Sequence, residues 1–192
     1  MPPAPAPPPF AALPPPYAGP VGALVIAGAG GGVLIDRGYP AASAGGREEH
    51  GGKEDGAAPA RAAWREAAWA AVEAALRGAA DGEAVVGRVP APTQAEAATS
   101  PLWAVVAMRV DSVVAIAAGP TAAGPPELFL EDALRCLAVG LRAFFPKKRI
   151  TEAELAAPAS YARLCVLVDE LVLEGHLDST DPERMKKSAK MK

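Results

Sequence analysis

The chain has 192 residues, 51% of them hydrophobic but only 5% aromatic, with a formal net charge of −3 and a pI near 5.5. That is room for one domain with tails, and so acidic a balance excludes the concentrated basic face from which nucleic-acid recognition starts. The best apolar run is interrupted by Arg109 and Asp111, so no stretch reaches the roughly 18 to 20 apolar residues of a membrane-spanning helix.

In chain order, residues 1–20 come first, a leader whose "PPAPAPPPFAALPPPYAGP" has too many prolines to join a sheet or helix. Its composition predicts an extended, polyproline-like, disordered segment. It lacks the basic and apolar regions of a signal peptide, which places the protein in the cytoplasm. Pro14, Pro15 and Tyr17, with Pro16, match the Pro-Pro-x-Tyr form that WW-type aromatic grooves read. A chance match in a low-complexity tail is the plainer reading.

The stretch "VIAGAGGGVLIDRGYP" holds five glycines, four of them between two short apolar runs. Gly28 and Gly30 fit a dinucleotide fingerprint, but its third glycine position is Val33, and the Gly-Lys-Ser/Thr of a P-loop is absent. The residues after the glycines alternate like a strand, with Val33, Ile35, Arg37 and Tyr39 on one side and Leu34, Asp36 and Gly38 on the other. The prediction is a hairpin with strands near 21–27 and 32–39, then a flexible glycine-rich and charged loop over 41–58.

Pro59 suits a helix start, and "ARAAWREAAWAAVEAALRG" carries Trp64, Ala68, Trp69, Val72, Ala75 and Leu76 on one face up to Gly78. Arg65 falls inside that apolar arc, its stem expected along the surface and its head in water. Three β-branched runs come next, "EAVVGRV", "SPLWAVVAMRV" and "SVVAIAAG", the last two joined by a tight turn at Asp111 and Ser112. In "ELFLEDALRCLAVGLRAFFP", Leu130, Leu134, Leu137, Leu141 and Phe144 recur at spacings of four, three, four and three, an amphipathic helix stopped by Pro146. A connection, "KKRITEAELAAPAS", leads to a last helix closed by Gly175, with a core stripe of Leu164, Cys165, Leu167, Val168, Leu171 and Val172. On its other side Val166 and Leu173, seven residues apart, lie among Asp169, Glu170 and Glu174, a candidate partner-binding strip. The basic tail, 183–192, reads as a solvated terminus before a lipid contact. The order β-β-α-β-β-β-α-α predicts an α+β domain over 21–182, its helices together on one face of an antiparallel sheet.

None of these elements carries chemistry. Asp169 and Glu170 diverge by about 100° on a helix and cannot address one atom from the same side. His50 and His176 have no partner at metal-ligand spacing, and Cys136 and Cys165 sit in apolar patterns as reduced core residues. No catalytic, cofactor-binding or metal-binding residue is predicted, and no small-molecule substrate.

Taken together, "ALVIAGAGGGVLIDRGYP", "LWAVVAMRVDSVVAIAAG", "ELFLEDALRCLAVGLRAFF" and above all "ARLCVLVDELVLEGHLDSTDP" resemble, in order, the longin-type small subunits of vesicle coats: clathrin adaptor sigma, coatomer zeta and the small subunit of the plant TPLATE complex. The last segment matches best, through Val168, Asp169, Glu170, Gly175, Thr180 and Asp181. The chain departs from the family in having Pro126-Glu127-Leu128 where Asn-Glu-Leu is usual, and in placing Asp111 and Glu152 where sigma subunits have an apolar pocket for acidic dileucine signals, although Leu155 is retained. The resemblance implies a longin-like, five-stranded antiparallel sheet. It implies a non-enzymatic small subunit of an endocytic or vesicle-transport coat, packed on a large solenoid subunit beside a medium one, peripheral on vesicle, Golgi or plasma membranes. The alternatives are a free-standing longin regulator that binds SNARE helices or small GTPases, and a nucleotide-binding enzyme built on the glycine stretch.

Overall fold

A computed structural model describes residues 21–39, 57–92, 97–98, 100–122, 126–146, 149–173, 175–181, 183–184 and 187, with the backbone alone at 57–59. The leader with Pro14, Pro15 and Tyr17, the loop over 41–56 with His50, and most of the basic tail lie outside the described residues.

Five strands form one sheet: β1 (Ala23–Gly28), β2 (Val33–Gly38), β3 (Ala84–Pro90), β4 (Leu102–Val110) and β5 (Val113–Pro120). Their spatial order is β2-β1-β5-β4-β3 and every neighbouring pair is antiparallel. The helices are α1 (Ala57–Gly78), α2 (Glu127–Phe144), a single turn α3 (Glu152–Ala156) and α4 (Pro158–Leu171), followed by the two-residue strands β6 (Val172–Leu173) and β7 (His176–Leu177). This is the predicted α+β class and element order, with α3 and the small β6–β7 ribbon added.

The helices do not share one face. Trp64, Ala68, Val72 and Leu76 of α1 pack on Val25, Trp103, Val105, Ala107, Val114 and Ile116. The opposite face of the same strands, with Leu24, Ile26, Val106, Met108 and Ala115, is covered by Leu130, Leu134, Leu137 and Leu141 of α2 and Leu164, Leu167, Val168 and Leu171 of α4. The fold therefore has three layers. The cause is the composition of β4 and β5: "VVAM" and "VVAIAA" are apolar at every position and need cover on both sides. Two details of α1 differ from expectation: it starts at Ala57, two residues before Pro59, and it leaves Ala75 exposed and Trp69 half-buried.

The alternation predicted for β2 breaks at a bulge. Ile26 pairs with Ile35 but Ala27 pairs with Val33, leaving Leu34 as the extra residue. Val33 is thereby turned to the α1 face beside Ala27, while Ile35 joins the core under α2 and α4.

The end of α4 also differs from expectation. The helix stops at Leu171, and Gly175, with φ +84°, is the turn residue of the β6–β7 ribbon and no helix cap. Thr151 caps α3 by accepting the Glu154 N–H at 3.3 Å. At the β4–β5 turn Asp111 has φ +57°, its N–H donates to Asp81 at 2.7 Å and its carboxylate accepts the Ile150 N–H at 2.9 Å. Asp111 is thus a joint between two turns and the segment leading into α3.

Candidate functional site

The glycine stretch forms the tip of the β1–β2 hairpin. The Gly28 N–H donates to the Gly32 carbonyl at 2.8 Å and the Gly31 N–H to the Gly28 carbonyl at 2.9 Å, with Gly31 at φ +85°, a conformation that favours glycine. These two amides are consumed inside the turn, and a strand comes after them. The Glu152 carboxylate occupies the space where a Gly28 side chain would stand, which gives the tip a negative neighbour. A phosphate cradle is built from free amides, in a turn or at a helix N-terminus.

Beside the tip, on the α1 face, lies a cleft of about 370 Å³. It is lined by Val25, Ala27, Val33, Ile116 and Trp69, by Gly30 and Gly31, and by the charged Arg65 and Glu66. The bulge at Leu34 is what turns Val33 into it. A cleft of this mixed apolar and charged lining has the character of a small docking site.

Three ion pairs hold the edge strand β2, two on one side and one on the other. On the α1 side, Asp36 receives Arg61 Nε at 3.0 Å and Arg65 Nη1 at 2.5 Å. Burial pushes the Asp36 carboxyl up, but the hydrogen bonds and charges of Arg61 and Arg65 outweigh it and hold the group below the usual carboxylate range. Arg65, expected with its head in water, is instead committed to this clamp. On the other side Arg37 donates to Asp169 at 3.1 Å, joining β2 to α4.

The predicted partner strip is divided. Asp169 belongs to the ion pair with Arg37, Glu170 is partly buried and its carbonyl accepts the Ser179 N–H at 3.2 Å, and Val166 is half-buried on α4. Leu173 is 57% exposed, on β6 beyond the helix end. Val166 and Leu173 therefore do not continue one helical stripe. Among the described residues no group of His, Cys, Asp and Glu is placed to hold a metal, and no helix is long and apolar enough to cross a membrane. The Arg61–Asp36–Arg65 clamp escapes a sequence reading because it needs the bulge. Its sequence trace is a pair of arginines one helical turn apart. Comparison of the chain with protein-family models and with curated proteins finds no match.

Proposed function

We propose that this chain is a non-enzymatic small subunit of a vesicle coat or adaptor, a longin-like wedge held by a large solenoid subunit. The observation that carries the reading is that the resemblance implies a five-stranded antiparallel sheet and the architecture has one, with helices on it. The surface supports it. Leu128 and Val139 of α2 are 78% and 52% exposed, and Leu173 on β6 is 57% exposed, apolar side chains that a partner on this side would cover. An obligate partner stabilises such a domain by covering them.

The test is affinity purification of the full chain from a cell that expresses it, with identification of stoichiometric partners. A large and a medium subunit recovered in equal amounts support the proposal. A chain recovered alone as a stable species, or with a SNARE or small GTPase only, replaces it with the free-standing longin regulator, for which the cleft beside Trp69 is the observation in favour.

A further inference from the structure

We infer that the outer edge of β3 pairs with the same edge of a second copy of this chain, forming a continuous ten-stranded sheet about a two-fold axis at Val86. The hydrogen-bond register of β3 fixes which of its backbone groups point away from the sheet. The Ala91 N–H donates to the Pro101 carbonyl, and the β3–β4 register continues from that pair through Val89–Trp103, Gly87–Val105 and Val85–Ala107. Hydrogen-bonded positions alternate along an antiparallel pair, so Val85, Gly87 and Val89 bond to β4 while Ala84, Val86 and Arg88 direct their N–H and C=O groups outward. The β4–β5 pairing agrees independently: the Thr121 N–H donates to the Leu102 carbonyl, which leaves the odd-numbered residues of β4 for β3. Among the described residues no strand meets this edge.

The two edges of the sheet are built differently. Edge strands are ordinarily guarded by bulges, charges or prolines. β2 carries a bulge at Leu34 and adjacent charges at Asp36 and Arg37. β3 has an unbroken register, no lysine, and proline only at its last residue. Its single charge, Arg88, is drawn onto Glu127 of α2. Val86, at the centre, is 53% exposed.

The edge also matches itself. An antiparallel copy in register about Val86 sets Val86 against Val86, Ala84 against Arg88 and Val85 against Gly87, so no like charges meet and two exposed valines cover each other. On the α1 face Ala71 lies over Gly87, and Ala67 and Ala74, a turn to either side, are exposed alanines, so the helix side chains along this edge are small and uncharged. A foreign strand satisfies the same backbone groups but not this reciprocal pairing.

The experiment uses the full chain. Mass is measured by sedimentation over a concentration series, with amide exchange of Val86 and Arg88 followed alongside. The expected result is a reversible dimer whose Val86 and Arg88 amides slow as concentration rises. Val86→Pro removes an N–H that β4 does not use, and Val86→Lys sets like charges opposite each other; each weakens dimerisation by about tenfold or more. Far-ultraviolet circular dichroism and melting temperature report whether the variants fold. A monomer at every concentration, fast exchange independent of concentration, or a dimer unaffected in a folded variant overturns the inference. It stands apart from the coat reading, because recovery of a large subunit neither requires nor forbids it.

Discussion

Arg61 grips Asp36 with two hydrogen bonds, Nε to Oδ2 at 3.0 Å and Nη2 to Oδ1 at 2.5 Å, so the early turns of α1 are fastened to the outermost strand on the hairpin side of the sheet. Arg65, one helical turn on, binds the same carboxylate. Hydrogen bonds to an ionised group contribute about 1.5–3 kcal/mol each when well shielded, and less here because both guanidiniums are about a third exposed. Asp36→Asn should lower stability by about 1–2 kcal/mol in chemical denaturation at neutral pH.

The same clamp sets an acid dependence. A carboxyl held below its ordinary range contributes stability that is present above the unfolded-state value and lost as pH falls through the folded one. Stability of the native chain should therefore fall with acid below about pH 4 more steeply than that of Asp36→Asn. Parallel acid limbs in denaturation profiles of the two proteins would show that Asp36 does not set the limb.

Tyr39 gives the opposite limb. Burial, assisted by the Asp169 charge and opposed by Arg37, pushes its phenol from 10.0 up to about 12, and its hydroxyl has no hydrogen-bond partner among the described residues. A group of this kind favours folding below its unfolded value and loses that contribution as pH rises between about 10 and 12. Tyr39→Phe should be neutral or stabilising by up to about 1 kcal/mol, because it removes an unsatisfied buried hydroxyl. Its alkaline limb should flatten over the same interval. A loss of more than about 1 kcal/mol would show that the hydroxyl has a partner.

Gly22 lies against the indole of Trp103, which is 1% exposed and meets Trp64 edge to face at 5.8 Å. A Cβ at residue 22 would stand 2.2 Å from Trp103 Cη2. Gly22→Ala must displace a ring locked in the core and should cost about 1–3 kcal/mol. A melting temperature equal to that of the native chain would show that the ring moves freely.

Leu173 separates partner contact from folding. It is 57% exposed on β6, so Leu173→Asp should change stability by less than about 0.5 kcal/mol. If the α4 side faces a large subunit, the same change should abolish co-purification. Val166→Asp is expected to destabilise the isolated chain as well, since Val166 is half-buried. Full recovery of the complex with Leu173→Asp would exclude this face from the interface.

Much of the fold was legible because it depends on local pattern. The leucine spacing of α2 matched a buried stripe residue for residue, and the two-residue turn between β4 and β5 lies where Asp111 and Ser112 predicted it. The hairpin reading of the glycine stretch came from the strand-like alternation after it. The cap of α3 also has a local trace, since Thr151-Glu-Ala-Glu154 has the Thr-x-x-Glu spacing of a helix start. The candidate surfaces were much less legible, because Arg65, Trp69 and Val33 come together only through a bulge and a helix laid across it.

The sequence by itself determined the five strands of the sheet, the three long helices, their order and the leucine stripe of α2, because periodicity and turn chemistry act over a few residues. It missed α3 and the β6–β7 ribbon, and of the stripe read for the last helix Cys165 is half-buried and Val172 lies on β6. Tertiary structure alone decided that α1 covers the face opposite α2 and α4, that β2 is pinned on both sides by Asp36 and Arg37, and that β3 is left with an open edge. These are choices between faces and edges of one sheet. A strand pattern records whether a residue is covered, but the partner that covers it is fixed only when distant segments pack.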